Sequence, residues 1–259
     1  MHRSLWVAFR TSLQRTMAER GAFIVSTGFY LAVVAVVGSL WRAAAEGKGG
    51  TIAGYGAASL FWYIAATEAA TVSLNMRLIE DIGNDISSGA VASEMLRPVS
   101  LVAIRIASEL GRAVPRLTTC ALAGTALSWL VVGSPPGALA GCLALVALVL
   151  AIACNVVAQH AFAAIAFWIR DARSAWFLYH KVVFVLGGML LPIEVLPGPM
   201  RAIAQSLPFV SMAYIPGRLA AGHVEPLLLL QQLGWLVVLV GLALRVFANG
   251  ERRLQVVGG

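Results

Sequence analysis

Long apolar stretches, separated by short polar ones, make up most of the chain. Six of them reach about 17–25 residues or more, the length that a helix needs to cross a bilayer. They cover residues 22–41, 54–74, 117–133, 137–169, 175–191 and 227–247. The fourth exceeds one straight crossing, so we expect it to tilt or to project into the cytoplasm near Trp168 and Ile169. The pattern predicts an all-α membrane protein with six transmembrane helices in a single domain over residues 1–259.

The first 20 residues have the pattern of an amphipathic helix. Apolar side chains recur every fourth residue on one face, with an indole beside them: Leu5, Phe9, Leu13, Met17 and Trp6. A basic amphipathic helix just before a membrane span is expected to lie in the inner membrane interface. Contact with a cytoplasmic partner is a compatible alternative.

Charged residues are scarce, and the basic ones lie mainly at the ends of the apolar runs. Only 12% of the residues are charged, against roughly 25% in soluble domains. The net charge is +7, and with the N-terminus inside, fourteen of the 19 Lys and Arg residues fall on the cytoplasmic side. This bias orients membrane helices. We therefore predict cytoplasmic N- and C-termini, membrane lipids as surroundings, and no nucleic-acid partner.

Motifs of nucleotide-binding and hydrolytic sites are missing from the sequence. It contains no G-x-x-x-x-G-K-[ST] phosphate loop, no G-x-S-x-G and no H-E-x-x-H. Its four histidines are scattered, and no nucleophile, base and orienting group show a recognisable spacing. We expect no catalysis, cofactor or metal in this chain. A membrane-embedded enzyme and an ATP-independent, proton-driven transporter are the alternatives, although repeated halves typical of the second are not evident.

Residues 75–116 form a charged segment that the predicted topology places in the cytoplasm. Apolar side chains at helical spacing predict one stripe that is available for docking, made of Leu78, Ile79, Ile82 and Ile86. Asp81 and Asp85 face elsewhere, and Pro98 should end the helical pieces near Leu96. A further piece over about residues 101–116 precedes the third span, and Glu109 can pair there with Arg105 or Arg112.

Residues 192–222 lie outside in this topology but are too apolar for a free loop. A helix over about residues 198–207, broken at Pro208, predicts a re-entrant segment, which is tolerated where protein or a cavity covers its backbone. An interfacial helix pair that anchors the sixth span is the alternative.

Four ionisable side chains fall inside the predicted spans: Glu68, His160, His180 and Lys181. Charges at such depth pair with one another or line a water-filled path. A Glu68–Lys181 pair is the simplest prediction. Polar lining of an inner vestibule and a purely structural role, including snorkelling of Lys181, stay open.

Two motifs resemble those of ABC-2-type permeases, the membrane subunits of ATP-binding-cassette exporters. The first is "DISSGAVASEMLRPVS", in which the matching positions are Ile86, Gly89, Leu96, Arg97, Pro98 and Ser100. The second, after the fifth span, matches at Pro192, Pro197, Leu207, Pro208, Phe209, Tyr214 and Pro216. The resemblance covers nearly the whole chain and is greatest to the branch encoded as paired permeases beside one ATPase.

The resemblance implies a dimer of permeases, homomeric or heteromeric, in the bacterial inner membrane. Two separate ATPase subunits would bind ATP and Mg²⁺ and drive export of a lipid-like, drug-like or glycan substrate. The loop between spans two and three would carry a coupling helix that contacts the ATPase through Glu80, Asp81, Ile82, Asp85, Ile86, Gly89, Glu94, Leu96, Arg97 and Pro98. An outer gate would consist of Pro192, Pro197, Pro208, Phe209, Tyr214 and Pro216.

Overall fold

The computed structural model describes residues 2–91, 100–133, 137–169 and 172–257, and within these ranges the chain is almost entirely helical. The helices are α1 (His2–Ala18), α2 (Arg20–Gly47), α3 (Ala57–Val72), α4 (Leu78–Ser87), α5 (Leu101–Val132), α6 (Ala138–Ala163), α7 (Ala172–Leu186), α8 (Gly198–Gln205), α9 (Tyr214–Ala220) and α10 (Leu227–Val257). Short 3₁₀ turns cover Ala164–Phe167, Ile193–Val195 and Pro208–Ser211. Strands β1 (Thr51–Ile52) and β2 (Tyr55–Gly56) pair antiparallel between α2 and α3. The predicted all-α class is confirmed.

Within the described residues, three helices are long and apolar enough to cross a membrane. They are α2, α6 together with the turn that follows it, and the part of α10 up to Arg253. They correspond to the first, fourth and sixth predicted spans. Most of the apolar window is buried in α6 and exposed in α2 and α10, so α6 lies inside the helix assembly and the other two lie at its periphery.

The second and fifth predicted spans are shorter as helices than the apolar stretches suggested. The β-hairpin occupies the residues just before α3. Helix α3 itself therefore has 16 residues and is roughly 24 Å long. Helix α7 has 15 residues and ends at Leu186, before the predicted end at Leu191. Gly188 follows with φ of 70°, a left-handed conformation that glycine adopts without strain.

The third predicted span is part of a longer helix. The separate piece expected over residues 101–116 is instead continuous with it, because α5 runs for 32 residues with Pro115 in its interior. The helix begins at Ser100, whose side chain accepts a hydrogen bond from the Ala103 backbone N–H, as a helix N-cap does. One rigid element therefore joins the cytoplasmic segment to the predicted third span.

Helix α3 lies at the centre of the assembly, since residues 60–70 are all buried. The Tyr30 hydroxyl of α2 donates to the Ala65 carbonyl at 2.9 Å. It lies only 1.9 Å from where a Cβ on Gly124 of α5 would be. Gly217 lets α9 approach equally closely, because a Cβ there would lie 2.7 Å from Thr67 Cγ2. Small residues thus set the spacing of the helices around α3.

Helix α1 packs across α5 at Gly111. A Cβ at this glycine would lie 2.2 Å from the Phe9 carbonyl oxygen. The buried residues of α1 are Ser12 and Thr16, and the Thr16 hydroxyl donates to the Ser12 carbonyl at 3.0 Å. Trp6 and Met17 of the predicted apolar face remain 61% and 62% exposed, which leaves them available to lipid.

We predict that Gly111→Val destabilises the protein, because the added carbons would push α1 away from α5. Overpacking of this kind costs about 1–3 kcal/mol. Gly141→Val on α6 is the control, since nothing lies within 4 Å of a Cβ at that position. Thermal unfolding in detergent should show a lower midpoint for Gly111→Val alone. Equal midpoints would contradict the packing described.

Candidate functional site

Helix α4 packs against the rest of the protein through its apolar face. The four residues of the predicted stripe are 0–4% exposed and belong to one core with the end of α6 and the start of α7. Gly83 lies on the same face, and a Cβ there would be 2.1 Å from the Ala172 Cβ. The four residues share one helix face as predicted, but the chain's own core covers this face, so it is not available for docking. Helix α4 therefore sits directly on the α6–α7 junction.

The role expected for Ile82 and Ile86 needs correction. The resemblance placed them against a partner ATPase, yet their side chains are 2% and 4% exposed inside the chain's own core. Burial of two isoleucines within the fold leaves no apolar side chain there for another protein. Their contribution is to hold α4 in position.

The opposite face of α4 is polar and accessible. Asp81 is exposed and accepts a hydrogen bond from the Asn75 amide at 3.3 Å. Glu80 is half-buried and lies 3.6 Å from the Arg77 guanidinium. Gly89 is exposed with φ of 78°, so it supplies the left-handed residue that commonly follows a helix end. The glycine of the first motif thus has a structural explanation.

An ion pair joins α4 to α5. The Arg105 guanidinium lies 2.8 Å from the Asp85 carboxylate, while Glu109 pairs with Arg112 at 2.8 Å. Of the two partners open to Glu109 in the sequence, the structure therefore selects Arg112. Burial raises the pKa of Glu109, and Arg112 and Arg116 oppose that shift. These charges line a cleft of about 420 Å³ between α4 and α5.

Four residues predicted for this surface, Glu94, Leu96, Arg97 and Pro98, lie outside the described residues. The predicted end of a helix near Leu96 lies there too.

Three of the four prolines of the second motif lie at the start of helical turns in residues 192–222. Pro192 precedes the turn Ile193–Val195, Pro197 precedes α8, and Pro208 is the first residue of its 3₁₀ turn. A fixed proline φ suits such positions. Phe209, Tyr214 and Pro216 are buried. The segment that holds the six residues predicted for an outer gate therefore folds into one layer against α3, α6 and α7.

A charged network in the same layer was missed by the sequence interpretation. Glu194 Oε1 accepts hydrogen bonds from the Tyr214 hydroxyl, the Tyr55 hydroxyl at 3.3 Å and the Arg218 guanidinium. Arg218 also pairs with Glu225, and Arg201 donates to the Glu194 carbonyl. The network ties the β-hairpin to α9. The available signal was the presence of three charged residues in the otherwise apolar residues 192–222, followed closely by Glu225.

The predicted Glu68–Lys181 ion pair is wrong. Glu68 is 6% exposed within the core around α3, whereas Lys181 is exposed on α7, with its Nζ 5.3 Å from the centroid of the Phe177 ring. The two residues point to different environments, which the spacing in sequence could not reveal. His160 Nδ1 lies 2.8 Å from the Val156 carbonyl and His180 Nδ1 2.9 Å from that of Trp176, so each histidine bonds to its own helix.

No metal site is evident in the part of the chain that the structure describes, since no three His, Cys, Asp or Glu side chains are placed to hold an ion.

We predict that Glu194→Gln destabilises the outer layer. The substitution removes the charge that Arg218 and two tyrosines share in a mostly buried setting, and the loss should be about 1–3 kcal/mol. Glu225→Gln is the control, because its side chain is 47% exposed and exposed pairs contribute at most about 1 kcal/mol. Thermal unfolding in detergent measures both. A larger effect of the Glu225 variant would contradict the central position of Glu194.

Comparison with known proteins agrees with the resemblance of the two motifs. A family described as "ABC-2 family transporter protein" matches residues 24–258, which is nearly all of the chain after α1. A search of curated proteins found no match. Members of this family are membrane subunits that associate with ABC ATPases. The chain therefore belongs to the ABC-2 transporter family and is a multi-pass membrane permease of an ABC transporter.

Proposed function

We propose that the chain is the permease subunit of an exporter and works as a dimer driven by two separate ATPase subunits. The polypeptide would cross the bacterial inner membrane six times, through α2, α3, α5, α6, α7 and α10, with both termini in the cytoplasm. The bias of Lys and Arg towards one side supports this orientation. ATP and Mg²⁺ would bind in the ATPase, and this chain would supply the path.

The observation that carries the proposal is the double attachment of α4. Its apolar face packs on the α6–α7 junction, and Asp85 pairs with Arg105 of α5. A force applied to α4 would therefore reach three of the proposed spans. Interfaces and packed cores switch between discrete arrangements rather than deform gradually. This architecture suits a helix that receives motion from an ATPase.

The contact with the ATPase would be polar. Asp81 and Asn84 are exposed on the polar face of α4, with Glu80 and Arg77 beside them. The resemblance adds Glu94, Leu96, Arg97 and Pro98 to the residues expected to contact the ATPase. The outer layer around Glu194 would close the opposite end of the path and open when the permeases rock apart.

We predict that Asp81→Lys weakens association with the ATPase encoded beside the permease. The substitution reverses a charge on the exposed face of α4 and leaves the buried stripe intact. Glu46→Lys is the matched control, because Glu46 is exposed at the far end of α2. Co-purification from detergent and ATP-dependent transport in proteoliposomes should fall at least tenfold for Asp81→Lys and stay unchanged for the control.

Retained association and transport in Asp81→Lys would show that α4 is not the contact surface. Substrate export by the wild-type permease without any ATPase would overturn the exporter proposal itself and favour a proton-driven transporter.

A further inference from the structure

A small, mostly apolar pocket with several polar lining residues lies between α3, α6 and α7, at membrane depth in the proposed topology. Its volume is about 140 Å³. Its polar lining residues are Thr71, Asn155, Gln159, Tyr179, His180 and Lys181, and the remaining wall is apolar. Such a mixture, within helices that otherwise present Ala, Val and Leu, indicates a place for a polar group inside an apolar environment.

Gln159, one of the lining residues, carries a buried hydrogen-bond acceptor without a donor. Asn155 Oδ1 accepts from the Tyr179 hydroxyl at 2.6 Å and from Gln159 Nε2 at 3.1 Å. This fixes the amide of Gln159, which is 1% exposed. Among the residues that the structure describes, Gln159 Oε1 has no hydrogen-bond partner. Buried acceptors are rarely left so, because the lost hydrogen bond to water is then not replaced.

Lys181, another lining residue, carries a positive charge that forms no ion pair among the described residues. Lys181 lies about nine residues, or roughly 13 Å, along α7 from its start. Its ammonium group is near the Phe177 ring, and no carboxylate of the described ranges is in ion-pair distance. A lysine at membrane depth is costly unless it finds an anion or water. Glu68 does not line the pocket.

We infer that this pocket binds the headgroup of an anionic amphiphile that carries a hydroxyl group next to its charge. The anion would pair with Lys181, and the hydroxyl would donate to Gln159 Oε1. Phe177 and Phe184 are exposed on the same helix and would contact the aliphatic chain. The inference rests on the proposed exporter function in naming the ligand as the substrate class, but binding itself needs no ATPase.

The test uses the purified full-length permease in detergent. The probe is a single-chain lysophosphatidic acid, which combines a phosphate monoester, a neighbouring hydroxyl and one acyl chain. Glycerol 3-phosphate supplies the head without the chain, dodecyltrimethylammonium supplies a chain with the opposite charge, and a deoxy analogue lacks the hydroxyl. Affinity is measured by microscale thermophoresis, and thermal unfolding checks that each variant is folded.

We expect the wild type to prefer lysophosphatidic acid over each of the other three probes. Lys181→Met should weaken its binding at least tenfold, with an unchanged unfolding midpoint because the side chain is exposed. The control Lys48→Met, another exposed lysine, should bind as the wild type does. Gln159→Leu should lose the preference for the hydroxyl over the deoxy analogue.

Equal affinity in Lys181→Met and wild type would overturn the site. Equal binding of glycerol 3-phosphate would overturn the amphiphile and indicate a site for soluble anions, and equal binding of the ammonium probe would overturn the anionic class. If the probes bind as expected but no ATP-driven transport is observed, the pocket stands and the exporter function is rejected. If ATP-driven transport is observed but the probes do not bind as expected, the pocket alone is rejected.

Discussion

The close approach of Gly83 to Ala172 controls how α4 meets the membrane helices. Because no Cβ intervenes, the helix backbone lies against the start of α7, and the isoleucines on either side fill the space at the end of α6. Burial of a contiguous apolar face stabilises this arrangement without directional bonds. The direction in which the polar face of α4 points depends on this packing.

A second constraint on the interior of the helix assembly is the tight packing around α3. Gly38, Gly124 and Gly217 each meet an aromatic side chain at a distance that a methyl group would occupy. Interiors packed at this density transmit displacement rather than absorb it. An element so enclosed can shift only together with its neighbours, which is consistent with rigid-body rocking of a permease.

Polar groups occur where the fold needs orientation in addition to burial. In the outer layer, Glu194 organises two tyrosines and an arginine from separate elements. In the inner half, Asn155 organises Tyr179 and Gln159 but leaves one acceptor of Gln159 free among the described residues. The first arrangement pairs opposite charges from separate elements. The second has no hydrogen-bond partner for the free acceptor among the described residues, and a bound polar group would supply a donor.

Helical class, the apolar stripe of α4 and membership of the ABC-2 family followed from the sequence. Hydrophobic periodicity and motif spacing are local properties that determine which segments are helices and which faces are buried. Local patterns could not foresee that Leu101–Val132 is one helix, nor that α7 ends at Leu186.

The choice of partners belongs to the tertiary structure. From the sequence, Glu68 was the predicted ion-pair partner of Lys181, and Glu109 had two candidate partners. Ile82 and Ile86 were expected to contact a partner protein. The fold instead buries Glu68 apart from Lys181, pairs Glu109 with Arg112 and encloses both isoleucines. Charge and apolarity determine that a side chain needs a partner. Only the three-dimensional arrangement of helices far apart in sequence decides which partner is within reach.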